Sequence, residues 1–193
     1  MNLLTGVSTQ NTLVKSLPLQ APRSSTIRKL MLANTALYGL YVVGSGPFKL
    51  RYEHLFTATP ESRIESLAYF HFAHTSLPQF LFNQGIFYTL GNYHVAAYGC
   101  ASFLSLFGAA ALGGSVLTAA GLFSGKTQHQ QAGAMAPAAG LVTYHAFKNP
   151  GWFRFLLRPI PALALLTLYG AYYGDRAAIG GVSFGYLAFL LGL

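Results

Sequence analysis

Four histidines stand where an imidazole could do chemistry. His71 and His74 are three residues apart, a spacing that puts both on one face of a helix, and His94 and His145 each lie within apolar surroundings. Imidazole ligates metals and is an axial ligand of haem iron, so two cofactor readings follow. One is a metal held by His71 and His74. The other is haem held between helices by members of His71, His74, His94 and His145. No second cluster of ligating residues accompanies the pair, so no metal is assigned, and we read these histidines first as hydrogen-bonding groups within a helix bundle. Ser183 and His145 are a conceivable nucleophile and base, but Ser183 falls among glycines at 180–185, where a small hydroxyl packs between helices. Cys100, the only cysteine, lies in an apolar run and has no partner for an internal disulfide.

The elements that must hold these groups read as membrane helices. Of 193 residues, 53% are hydrophobic and only 8% charged, too few charges to cover a water-soluble globule. A crossing takes about 20 apolar residues, so the chain accommodates about six short ones in a single domain. The expected fold is an all-α bundle with spans at 30–47, 67–90, 95–116, 133–147, 157–173 and 177–193, and an amphipathic interfacial loop at 48–66. The polar groups of the second span, His71, His74, Gln79 and Asn83, must face other helices. Gly108, Gly113, Gly114 and Gly121 in the third invite close helix approach. Asn149-Pro150-Gly151 marks a turn, and Trp152, Tyr169, Tyr172 and Tyr173 bracket the fifth span as interfacial aromatics.

Residues 1–29 contain Lys15, Arg23, Arg28 and Lys29, several Ser and Thr, and no acid, the composition of an organelle-targeting segment or a basic surface tail. Six spans put both termini on one side, and seven of the eight net positive charges fall there. That asymmetry predicts termini in the cytoplasm, or in the matrix if the membrane is the mitochondrial inner one. Arg28, Lys29, Lys148, Arg154 and Arg158 are the candidate sites for an anionic lipid such as cardiolipin. Topology accounts for most of the bases, so nucleic-acid binding is not expected.

Three further patterns occur in order. His74-Thr75-Ser76-Leu77-Pro78-Gln79-Phe80-Leu81-Phe82-Asn83 is similar to the rhomboid family's second-span pattern of His, a second His five residues on, then Leu-Phe-Asn. Gly133-Ala134-Met135-Ala136-Pro137-Ala138-Ala139-Gly140 resembles the family's Gly-x-Ser-Gly stretch opening the fourth span. Ala178-Ile179-Gly180-Gly181-Val182-Ser183-Phe184-Gly185 resembles its sixth-span His-x-Gly-Gly pattern. The resemblance covers roughly the last two-thirds of the chain and implies a rhomboid-like six-helix fold.

It also implies where chemistry is missing. Met135 stands at the nucleophile position, and a thioether has no proton to lose and no attacking oxygen. Ala178 stands at the general-base position, and Gln79 replaces one of the two groups that polarise the oxyanion. The positions retained are structural: His74, Asn83, Gly133, Gly140, Gly181 and Gly185. The expectation is therefore a catalytically inactive rhomboid-like protein, an accessory subunit among other integral subunits of a mitochondrial inner-membrane assembly such as a respiratory complex or ATP synthase. The alternatives are a free-standing pseudoprotease that binds transmembrane clients and a haem-binding membrane anchor.

Overall fold

The computed structural model describes residues 23–59, 64–123, 135–150 and 175–193, and all regular elements among them are helical. Helix α1 (Ser25–Val43) starts at Ser24, whose hydroxyl accepts from the Thr26 amide, and stops at Gly44. The cap starts this helix five residues ahead of the expected span at 30–47. Arg28 and Lys29 therefore belong to its first turns and not to a tail. Next come α2 (Gly46–Phe56), with Pro47 in its first turn, the short α3 (Ser66–Tyr69) and a 3-10 turn (Phe70–Phe72). The expected interfacial loop at 48–66 is thus largely helical on its N-terminal side.

Helix α4 (Leu77–Ile86) is started by Ser76, which accepts from the Gln79 amide, and by Pro78 in the first turn. It continues through a π-turn (Phe87–Gly91) into α5 (Asn92–Phe123). The stretch Leu77–Leu122 is long and apolar enough to cross a membrane. It is not straight. Gly99 has φ 90° and ψ 165°, a conformation open only to glycine, and the helix breaks there. In a straight helix residues 87 and 107 would lie about 30 Å apart. Here the Phe87 and Phe107 ring centroids are 6.0 Å apart and His94 Nε2 is 3.0 Å from Ser102 Oγ, so the chain folds back on itself as an antiparallel hairpin.

Where spans at 67–90 and 95–116 are expected, the two helices of the hairpin run at 77–98 and 100–123, a displacement towards the C-terminus. The displacement has two causes. Ser76 and Pro78 restart the helix after Phe72, and the reversal falls at Gly99 and not at 91–94, between the expected spans. Gly91 serves a different purpose. A Cβ on it would sit 3.0 Å from Ile27 Cδ1, so its bare backbone admits α1.

Helix α1 runs antiparallel to 77–98. Ile27 faces Gly91, Gln84 Nε2 donates to the Met31 carbonyl at 3.0 Å and to Thr35 Oγ1 at 2.9 Å, and Tyr38 stacks on Phe80 at 4.5 Å. Helices α6 (Met135–Lys148) and α7 (Arg176–Leu190) lie close to the expected spans at 133–147 and 177–193. Gly133, Arg154, Arg158 and the expected span at 157–173 lie outside the described residues.

Small residues lock α5, α6 and α7 together. A methyl on Gly181 would overlap the Ala136 carbonyl, and one on Gly185 would sit 2.5 Å from the Gly140 carbonyl oxygen. The pairing advances one turn along both helices, so α6 and α7 run parallel. Gly113 and Gly114 of α5 meet Gly180 and Ala177 of α7 in the opposite sense, and Ala110 meets Gly140, so this half of α5 is antiparallel to both. Backbones this close leave no room for side chains and exchange dispersion contacts along their whole length.

These directions sort the molecule into two ends. The Gly99 end holds the start of α1, the end of α6 with Lys148, and the end of α7. The opposite end holds α2, α3, His74, and the starts of α6 and α7. The apolar core between them comprises Ile27, Phe87, Leu90, Phe103, Leu106, Leu141 and Tyr144, closed by Ala138, Val142 and Ala188.

Candidate functional site

The parallel pair α6 and α7 brings Met135 and Ala178 to the same end of the bundle, one in the first turn of each helix. Both are buried, Ala178 completely and Met135 to 4% exposure. The packing beside them shows why. Phe70 and Ala58, from the segments flanking α2 and α3, form a buried cluster with Ala136 and Ala177, the immediate neighbours of the two positions. A Cβ on Gly114 would lie 2.5 Å from Ala136 Cβ and 3.1 Å from His71 Cε1. His71 and Phe70 therefore close this end of the helix trio.

His71 Nε2 is 2.7 Å from Ser115 Oγ, a distance suited to a nucleophile and its base. The direction of the bond argues otherwise. Ser115 Oγ donates its single proton to the Leu67 carbonyl at 2.8 Å, so it can only accept from the imidazole N–H. The imidazole nitrogen that faces Ser115 carries its own proton and cannot remove another. What the pair does is tie the turn at 67–72 to α5.

A second Ser–His pair lies towards the Gly99 end. Ser102 Oγ, His94, His145 and Asn149 form a buried chain: His94 Nε2 to Ser102 Oγ at 3.0 Å, His94 Nδ1 to His145 Nε2 at 3.2 Å, and His145 Nδ1 to Asn149 Nδ2 at 3.2 Å. Asn149 Nδ2 can only donate, which makes His145 Nδ1 an acceptor and places the His145 proton on Nε2. That proton points to His94 Nδ1, leaving His94 Nε2–H to donate to Ser102. This serine too faces a donor and not a base. Tyr93, Tyr98, Phe103 and Tyr144 pack around the rings, with Tyr144 and His94 centroids 5.2 Å apart.

The other residues singled out from sequence are distributed as follows. His94 and His145 meet, but nitrogen to nitrogen. His74 is fully buried, edge-on to Tyr38 and Phe80 at 6.4 and 5.3 Å. Among the described residues no three of His, Cys, Asp and Glu converge as metal ligands. Gln79 Oε1 accepts from the Thr75 amide at 3.4 Å, turned towards the start of its own helix. Asn83 is fully buried within α4, and neither of its amide atoms has a hydrogen-bond partner. Ser183 is exposed and donates to the Ile179 carbonyl at 3.0 Å, while His145 is buried between His94 and Asn149, so the conceivable Ser183–His145 pair is not brought together. Gly140, Gly181 and Gly185 occupy the helix interlock. Arg28 lines a groove beside α1, and Lys148 Nζ lies 5.8 Å from the Tyr98 ring centroid.

Sequence reading missed Ser115, Ser102 and Asn149 as histidine partners. Ser115 lies 44 residues from His71, and His145 lies 51 from His94, separations that no local pattern encodes. Asn149 was legible only as part of a turn. No protein-family model, curated protein or solved structure matches this chain.

Proposed function

We propose that this chain is a rhomboid-like integral membrane protein without protease chemistry, serving as an accessory subunit of a mitochondrial inner-membrane assembly, a respiratory complex or ATP synthase. The observation that carries the non-catalytic reading is the buried start of α6 and α7. The small-residue interlock holds those two helices as a proteolytic bundle would need, yet Met135 and Ala178 supply neither nucleophile nor base and are buried beside Ala136 and Ala177, which cluster with Phe70. Both Ser–His pairs present the serine with a proton donor.

Membrane residence is supported by the faces that the helices leave uncovered. Leu104, Leu112 and Leu187 are 54%, 58% and 44% exposed, and only 28% of the most apolar window of Leu77–Leu122 is buried inside the molecule. Water disfavours such a surface, whereas a bilayer or a neighbouring helix accepts it. The mitochondrial address rests on the basic, acid-free first 29 residues. Native purification in mild detergent tests the subunit reading. Co-migration with stoichiometric integral partners at a mass well above 20.7 kDa is expected. A chain that runs alone would count against it and favour a free-standing pseudoprotease that binds transmembrane clients.

A further inference from the structure

We propose that the groove between α1 and the π-turn region of the 77–98 helix is a binding site for one anionic phospholipid, with the headgroup phosphate taken by Arg23 and Arg28 and an acyl chain laid along Met31 and Leu32. The inference rests on the membrane reading above. The groove encloses a cavity of about 430 Å³ at the Gly99 end. Its lining changes character along α1: Arg23, Ser24 and Arg28 at the mouth, then Met31, Leu32 and Thr35, whose hydroxyl is already taken up by the Met31 carbonyl and Gln84 Nε2. This is the polarity gradient of a phospholipid, charged at one end and apolar beyond it.

Charge complementarity selects the headgroup. The chain has four acidic side chains, Glu53, Glu61, Glu65 and Asp175. The three that are described belong to the opposite end, in α2, beside α3 and at the start of α7. Two guanidiniums therefore share one groove with no acidic side chain at their end among the described residues. Each presents a planar fork of donors that matches phosphate oxygens. The mouth is also pre-set. Arg23 sits 5.7 Å from the Tyr88 ring centroid, and the Ser24 amide donates to Asn92 Oδ1 at 2.6 Å, pinning the start of α1 to α5. A free phosphate ion would use the mouth alone. The apolar stretch at Met31 and Leu32, the latter 63% exposed, suits a ligand with a hydrocarbon tail.

The test is native mass spectrometry of the full chain released from mixed vesicles of phosphatidylcholine and phosphatidylglycerol. Retention of phosphatidylglycerol over phosphatidylcholine is expected, falling roughly 30-fold in Arg23→Gln/Arg28→Gln, from about fivefold for each basic residue at a membrane surface. Arg51→Gln, an exposed arginine of α2 at the opposite end, should leave retention unchanged. Leu32→Trp, on an exposed position that cannot disturb the core, should reduce it by filling the tail end of the groove. Unchanged retention in the double arginine variant would overturn the proposal. So would complete displacement by millimolar inorganic phosphate, which would assign the mouth to a free anion. Alkaline carbonate extraction separates the two levels. A chain that resists extraction but shows no arginine-dependent lipid refutes the lipid site alone, whereas one that is extracted removes the membrane reading and the site together.

Discussion

His94 Nδ1 stands 3.2 Å from His145 Nε2, and both rings are fully buried. The contact joins the last turn before the Gly99 break to the end of α6, so one hydrogen bond spans the hairpin and the helix trio. Replacing either histidine by leucine leaves the other ring with an unmet polar atom, a loss of about 1–3 kcal/mol. Replacing both removes the mismatch between them. A double-mutant cycle should return a coupling of roughly 1 kcal/mol or more, with the double variant less destabilised than the sum of the singles. Thermal unfolding in detergent measures it, and strict additivity would show the bond to be incidental.

Glycines separate into two groups that the same experiment distinguishes. A Cβ on Gly181 meets the Ala136 backbone, which cannot yield, whereas a Cβ on Gly108 meets nothing within 4 Å. Gly181→Ala should cost several kcal/mol, above the ~1–3 kcal/mol of ordinary overpacking, because backbone and not side chain is displaced. Gly108→Ala should be neutral or stabilising by up to ~1 kcal/mol through helix propensity. Equal effects at the two positions would contradict the interlock.

At Gly99 the surroundings are open and the constraint is local. No atom lies within 4 Å of a Cβ built there, yet φ is 90°. Gly99→Ala should cost about 1–3 kcal/mol through backbone strain alone. Cysteine pairs introduced across the hairpin at Phe87 and Phe107, whose centroids are 6.0 Å apart, should cross-link with a short bifunctional reagent. Failure to do so would restore a straight helix through this region.

Asp175 caps α7 by accepting from the Ala178 amide at 3.0 Å. Burial pushes its carboxyl up from 3.8 to about 6, with the amides of Ala178 and Ala177 pulling in the other direction. A raised acid binds its proton more tightly in the folded state, so its contribution is full below about pH 4 and is lost as pH rises to about 6. The melting temperature should fall across that window in the wild type, and the fall should be reduced in Asp175→Asn. Identical profiles would place the pH dependence elsewhere.

On the proposed rhomboid-like reading, placing a serine and a histidine at positions 135 and 178 should not create chemistry. Ala178 is completely buried, so Ala178→His must force an imidazole into filled space at a cost of about 1–3 kcal/mol. Met135→Ser/Ala178→His is expected to lose stability and to leave a transmembrane reporter uncut, read by gel shift. Cleavage by this variant would show the site to be open and the burial of the two positions to be no barrier.

How far the fold was legible depended on range. Composition placed the chain among helical, apolar proteins because the requirement to bury or immerse 53% hydrophobic side chains is independent of their order. Helix starts were written locally in Ser24, Ser76 and Asp175, each a short side chain within reach of its own first turn. The small-residue stripes were legible as invitations to close packing, and Gly140, Gly181 and Gly185 do meet partners. Gly91 and Gly99 were not separable in advance, since a bare backbone serves equally for a reversal or for the approach of Ile27.

What the sequence alone determined about the four histidines is that each would sit in apolar surroundings and need a partner. Which partner each obtained was decided only by tertiary structure: Ser115 for His71, His145 for His94, and aromatic rings around His74. The reason is physical. A histidine can donate or accept at either nitrogen, so its chemistry is set by whichever group the fold brings to it and by where that group's proton already points.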